Sequence, residues 1–167
     1  MIRNATKKDI NKIMNIYVIA RQYMHKNGNK TQWINYPTKE IIEKDIKENH
    51  LYIYEKNNEI LAVFTFVIGE DATYQKIDGK WLSNTQYGTI HRIASTGKEK
   101  GIFEICFNFC KSKINHIRID THENNKIMNY ILRKNNFKEC GIIYVEDKSP
   151  RVAYEYIENN SFSFNKE

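Results

Sequence analysis

Two prolines and seven glycines in 167 residues leave little for a long flexible linker or a low-complexity segment. No apolar run approaches 18 residues, so no membrane-spanning helix is expected. The opening MIRNATKKDI lacks the parts of a secretory signal. Cysteine is scarce and odd in number, with Cys106, Cys110 and Cys140, which suits a soluble, reducing, cytoplasmic setting. Cys106 and Cys110 stand at i, i+4, a spacing that could hold a metal. No His or second Cys pair completes four ligands, so both read as core and no metal is expected. No block of five like charges occurs. The P-loop pattern G-x-x-x-x-G-K-S/T and the dinucleotide pattern G-x-G-x-x-G are both absent.

What is present suits one globular domain, expected over residues 1–160 with a polar tail over 161–167. Hydrophobic residues make up 41% and aromatics 13%, enough for a full core at this length. A formal net charge of +6 favours anionic ligands such as nucleotide cofactors, nucleic acid or acidic lipid. The same balance equally describes a solvated lysine-rich surface. Heavy use of Lys, Asn and Ile suits an AT-rich bacterium.

The elements are legible in order. Ile2–Asn4 read as a short strand, and Thr6 with Asp9 as a capping box before a helix striped by Ile10, Ile13, Met14, Tyr17 and Met24. Thr38 caps a second helix to about Asn49. Leu51–Glu55 and Ile60–Ile68 read as a hairpin joined by Lys56-Asn57-Asn58-Glu59. A polar loop from Gly69 to Lys80 precedes a strand over Tyr87–Ala94. A helix after Gly101, a strand Ile117–Asp120, a helix Asn125–Asn135 and strands Cys140–Val145 and Val152–Ile157 complete the chain. The expected order is β-α-α-β-β-β-α-β-α-β-β, an α/β (α+β) arrangement.

The stretch IHRIASTGKEKGIFEICFNFC, residues 90–110, carries the most information. It reads as a strand, a turn marked by Gly97 and Gly101 with Lys98 and Lys100, and a helix. A glycine turn opening a helix presents free N–H groups at the positive helix end, a phosphate cradle. The bland alternative is an ordinary strand-to-helix joint.

Two patterns together resemble the GNAT superfamily of acetyl-CoA-dependent N-acyltransferases. The family's cofactor loop runs roughly V-x-P-x-x-Q/R-x-x-G-x-G/A, and Ile93, Ala94, Ser95, Lys98, Gly101 and Phe103 fall on it without a gap. A later helix runs roughly N-x-x-A-x-x-x-Y-x-x-x-G-F, and Asn125, Met128, Leu132, Asn136 and Phe137 fall on it. The opening Ile2–Thr6 also looks like the family's first strand and cap. The resemblance covers nearly the whole chain.

It implies a mixed, mostly antiparallel sheet splayed between its central strands and flanked by about four helices. It implies acetyl-CoA as acyl donor and direct attack by a primary amine. Backbone of Ile93, Ala94 and Ser95 would pair with pantetheine. N–H groups over Lys98, Glu99, Lys100, Gly101, Ile102 and Phe103 would hold the pyrophosphate, and Asn125 would touch the cofactor arm. Leu132 departs from the pattern, because many members carry there a tyrosine that protonates the leaving thiolate. Glu99 and Phe103 also depart from it, and an acid beside a pyrophosphate counts against binding unless its side chain points outward.

His91 is the candidate base, read as sharing the face of Ile93 two residues on. His122, with Asp120, ends the next strand and is the alternative. Trp33, Tyr36, Asp71, Tyr74 and Trp81 are candidates for the acceptor pocket, whose aromatics and acids suit a cationic amine. A small-molecule or protein amine is the expected partner. No membrane contact is expected, a homodimer stays open, and a nucleic-acid role ranks last for want of an RNA-recognition signature or a basic helix. The competing function is a non-catalytic acyl-CoA-binding or sensing module on the same fold.

Overall fold

The computed structural model describes residues 1–30 and 32–158; the tail expected from Ser161 onward lies outside the described residues. The strands are β1 (Ile2–Asn4), β2 (Leu51–Lys56), β3 (Glu59–Ile68), β4 (Asp78–Gly79), β5 (Gly88–Ser95), β6 (His116–Thr121), β7 (Lys138–Tyr144) and β8 (Pro150–Ile157). The helices are α1 (Ile10–Lys26), α2 (Lys39–Lys47), α3 (Ile102–Lys111) and α4 (Lys126–Lys134). One sheet of eight strands runs β1-β2-β3-β5-β6-β8-β7-β4. Every neighbouring pair is antiparallel except β5 and β6.

The local signals act as their chemistry dictates. Asp9 Oδ2 accepts the Thr6 N–H at 2.8 Å, and Arg3 grips the same carboxylate at 2.9 Å, tying the first strand to the entry of α1. Thr38 Oγ1 accepts the Ile41 N–H at 3.3 Å and starts α2. Asn57 and Asn58 take φ of 52° and 61°, as a two-residue type I′ hairpin requires. Asn136 takes φ 66° just after α4, and the Phe137 N–H returns to the Leu132 carbonyl.

Two apolar layers sandwich the sheet. On one face Phe64, Phe66, Ile90 and Tyr154 pack against Phe103, Cys106, Phe107 and Cys110 of α3 and Leu132 of α4. Fully burying each of these large side chains stabilises by about 1.5–3 kcal/mol. Burial pushes the Cys106 thiol up to about 12, so it is an inert core group, as the sequence suggests. On the other face Leu51, Ile53 and Val63 pack under Ile13, Ile16 and Tyr17 of α1 and Ile42 of α2. These helices cover the β2–β3–β5 half of that face. The segment between β3 and β5 covers the rest, packing Tyr74 and Tyr87 with Ile143 of β7 and Ala153 of β8.

The segment read as a plain polar loop holds more order than its sequence suggests. It contains a 3-10 turn at Ala72–Tyr74 and the two-residue strand β4. β4 pairs with β7 where Gly79 meets Gly141, and a Cβ at either would lie 2.1 Å from a backbone oxygen of the other strand. Only glycines allow that approach.

Candidate active site

β5 and β6 are joined by two parallel rungs, Gly88↔Ile117 and Thr89↔Arg118, and then diverge. Beyond them a fork opens between Ile90–Ser95 and Ile119–Thr121. Along β5 the Thr96 N–H donates to the Leu61 carbonyl, and Ala94 pairs with Val63. Strand alternation then turns the backbone groups of Ile93 and Ser95 away from β3 and toward the fork. This is an open strand edge inside a sheet.

A β-bulge sits at the mouth of the fork. Between its rungs to Val63 and Thr65, β5 spends three residues against two on β3, and Arg92 takes φ 52°. The bulge changes which side chains share a face. Ile90 and Ala94 would lie together on an unbroken strand, yet they belong to opposite apolar layers. The expectation that His91 shares the face of Ile93 is corrected for the same reason. Ile93 packs against the α3 layer, whereas His91 points to Asp71 across the other face.

Buried polar bonds hold the bulge. The Tyr17 hydroxyl donates to the Arg92 carbonyl at 2.7 Å. The Arg92 guanidinium donates to Asp45 of α2 at 2.5 Å and to the Tyr36 hydroxyl at 2.8 Å, and Thr65 donates to the same Asp45 oxygen at 2.9 Å. A non-glycine residue at positive φ is strained, and four neighbours over-determine this one. Sequence reading missed Arg92 and Asp45. The only available signal was a lone arginine in the apolar run IHRIA.

Four candidate groups meet where the bulge faces the segment after β3. His91 Nε2 lies 2.9 Å from Asp71 Oδ2, while Asp71 Oδ1 accepts the Thr73 N–H. The Tyr74 hydroxyl donates to Asp120 Oδ1 at 2.6 Å, and its ring lies 6.5 Å from that of His91. Burial works to raise Asp71, but the His91 and Thr73 bonds outweigh it and hold the carboxyl below its ordinary value. Asp71 is therefore a carboxylate at neutral pH and can only accept. That puts the proton on Nε2 of His91 and leaves Nδ1 as the basic atom. Burial, the largest cause, raises the Asp120 carboxyl above the usual range.

The glycine turn has the form of an anion cradle. Gly97 and Gly101 take φ of 80° and 74°, and Gly101 leads directly into α3, whose first-turn N–H groups have no intrahelical acceptor. Glu99 points away from the turn, its Oε1 3.2 Å from Lys56 and within reach of the Tyr54 hydroxyl. Lys98 pairs with Glu59. Phe103 is buried in the α3 layer and stays out of the turn. An open strand edge running into this turn fits the pantetheine arm and pyrophosphate of acetyl-CoA, with Glu99 drawn off toward Lys56.

The remaining sequence candidates are dispersed. Trp33 stacks edge-on against Tyr17 at 5.6 Å, and Tyr36 binds Arg92, so both lie on the α1–α2 side. Trp81 packs 5.3 Å from Tyr74 on the other side of the fork. Asn125 Oδ1 accepts the Met128 N–H and caps α4. His122 Nδ1 accepts the Asn124 N–H at 3.0 Å, and burial and Arg151 lower its pKa. Leu132 is fully buried, so no hydroxyl stands at that place. Among the described residues no group of three or more His, Cys, Asp or Glu could hold a metal. Among them, too, no helix is long and apolar enough to cross a membrane.

No protein-family profile and no curated protein matches the chain. Solved structures do. A GNAT-family acetyltransferase from Streptococcus agalactiae is 28% identical over 96% of both chains, with a TM-score of 0.85. One from Listeria monocytogenes is 17% identical over 95% of this chain and 94% of its own, with a TM-score of 0.72. The Salmonella typhimurium acetyl transferase that modifies the N-terminal serine of ribosomal protein L7/L12 is 17% identical over 95% and 94%, with a TM-score of 0.64. The last two speak to the fold alone.

Proposed function

We propose that this chain, which belongs to the GNAT superfamily, is an acetyl-CoA-dependent N-acetyltransferase acting on a primary amine. The observation that carries the reading is the fork, where β5 presents an open strand edge that leads into a glycine turn and also carries His91, an imidazole oriented by a carboxylate. Bound there, acetyl-CoA supplies an activated acetyl thioester. Ile93 and Ser95 offer backbone donors and acceptors to an extended arm. N–H groups over Glu99–Phe103 hold phosphate oxygens, the Lys98 N–H donating instead to Thr96 Oγ1. Asp71 fixes the ring of His91, and His91 Nδ1 takes the proton of the attacking amine, directly or through one water. The Ile93 N–H faces the fork, where an oxyanion develops. The two acids and the Tyr74 ring favour a cationic acceptor.

Leu132 favours a second reading, a non-catalytic acyl-CoA-binding module, because it supplies no proton to the leaving thiolate. A free thiol has a pKa of about 8.5, so its thiolate leaves tolerably without an acid. One experiment separates the readings: titrate acetyl-CoA, then measure thiol release across a panel of amines. Transfer predicts binding and release with at least one amine. Binding with no release across the panel supports the module, and absence of binding overturns both.

Gly101→Val tests the turn. A β-branched residue at φ 74° is strained, although a Cβ there meets no atom within 4 Å. Loss of one or two charge-assisted N–H contacts should weaken acetyl-CoA binding roughly 10- to 100-fold, measured calorimetrically. Unchanged affinity would remove the turn from the site.

A further inference from the structure

A cavity of about 950 Å³ opens along the segment joining β3 to β5, and Tyr74 is among the residues that line it. Its other key lining residues are Trp81, Tyr87 and Arg118. Arg118 is only 5% exposed, and its guanidinium lies 4.0 Å from the ring centres of both Trp81 and Tyr87. Nε donates to Glu155 and Nη2 to the Ser83 carbonyl. Nη1 has no hydrogen-bond partner among the described residues, nor is it among their enclosed, unsatisfied atoms. Nη1 is therefore the donor that Arg118, a residue lining the cavity, has left to offer.

We infer that this cavity binds a carboxylate through Arg118, and that the carboxylate belongs to the amine acceptor. The guanidinium is held rigid by two rings and two hydrogen bonds, so its open edge costs little ordering when a planar anion binds. Glu155 is already shared between Arg118 and His116, and Leu82 N–H also donates to it. With the Cys140 thiol, one carboxylate serves four donor groups, while Arg118 Nη1 has no hydrogen-bond partner among the described residues. On the rim Lys80 adds positive charge and Glu70 opposes it.

The second half rests on the transfer reading above. Arg118 and Asp120 stand two residues apart on one face of β6, about 7 Å along the strand. Tyr74 touches both regions, lining the cavity and donating to Asp120. An acceptor with its amine at His91 and its acid at Arg118 would lie along this face. The acceptor class is an amino carboxylic acid.

Fluorescence tests the pocket without any turnover. The chain has two tryptophans, so Trp33→Phe leaves Trp81 as the reporter. Titrants are ω-amino acids from glycine to 6-aminohexanoate, with the matching alkylamines and alkanoates. Acids and amino acids should change Trp81 emission saturably, and alkylamines should not. Arg118→Gln should weaken the response roughly 10- to 100-fold. Gln86→Phe, on the exposed rim, should block it without touching the buried cluster, so the test survives if Arg118→Gln misfolds. No saturable response to any carboxylate, or equal affinity in Gln86→Phe, overturns the pocket.

Turnover then tests the acceptor. Amino acids should exceed their matching alkylamines in kcat/KM by about tenfold or more, a preference lost in Gln86→Phe. Carboxylate binding with equal turnover of alkylamines overturns the acceptor assignment alone. Turnover of no amine sinks the transfer reading and that assignment together, while the pocket stands or falls on fluorescence.

Discussion

His91→Ala should lower kcat by roughly 100- to 10,000-fold with any accepted amine, the usual span for a lost general base. Acetyl-CoA affinity should stay unchanged, because His91 lies across the sheet from the Ile93 side chain and outside the glycine turn. Asp71→Asn is the companion variant. An amide beside Nε2 no longer enforces the proton there, so part of the population carries it on Nδ1 and cannot act as base. Its expected loss is smaller than that of His91→Ala. Asp71 also accepts the Thr73 N–H, so the thermal midpoint must be measured alongside. Unchanged kcat in His91→Ala, with an unaltered pH profile, removes the imidazole from the mechanism.

Asp45→Ala should cost about 3–5 kcal/mol of unfolding free energy, the range for removing one partner of a buried ion pair. Its side chain is 10% exposed, and that of Arg92 is 14% exposed. The variant leaves the guanidinium with the Tyr36 hydroxyl and a long contact to Thr65, and Arg92 Nε already lacks a partner. Asp45→Leu combined with Arg92→Met should destabilise far less, because it removes both charges together. Denaturant melts of the three proteins decide it. A loss under about 1 kcal/mol in Asp45→Ala would mean the pair is solvent-screened.

The contrast between these two sites marks what the sequence makes legible. Asn57-Asn58, Thr6 with Asp9, and Asn136 act on backbone within a few residues of themselves, so their chemistry can be read locally. The glycine turn belongs to this class, as does its entry into α3. Arg92 finds Asp45 forty-seven positions away, and Arg118 finds Glu155 thirty-seven positions away. No local period encodes such a pairing. The only trace is a charge inside an apolar strand, as in IHRIA, HIRID and VAYEYI. The bulge is similarly hidden, because the residues that force it, Tyr17 and Asp45, belong to helices earlier in the chain. β4 is too short to show a period, and its signal was the paired glycines Gly79 and Gly141.

The two rungs between β5 and β6 have a mechanical consequence. Four strands lie on each side of that seam, so the sheet is two leaves sharing a narrow spine. Gly88 forms part of the spine, and a Cβ there would fall 2.5 Å from the Phe66 ring, so no larger residue fits at that rung without a shift of the ring. An extended arm laid between the leaves would act as a ninth strand and stitch them into one plate. Amide exchange at Ile93 and Ser95 should then slow on donor binding. Unfolding should become steeper as well as later, since leaves that could loosen separately would have to open together.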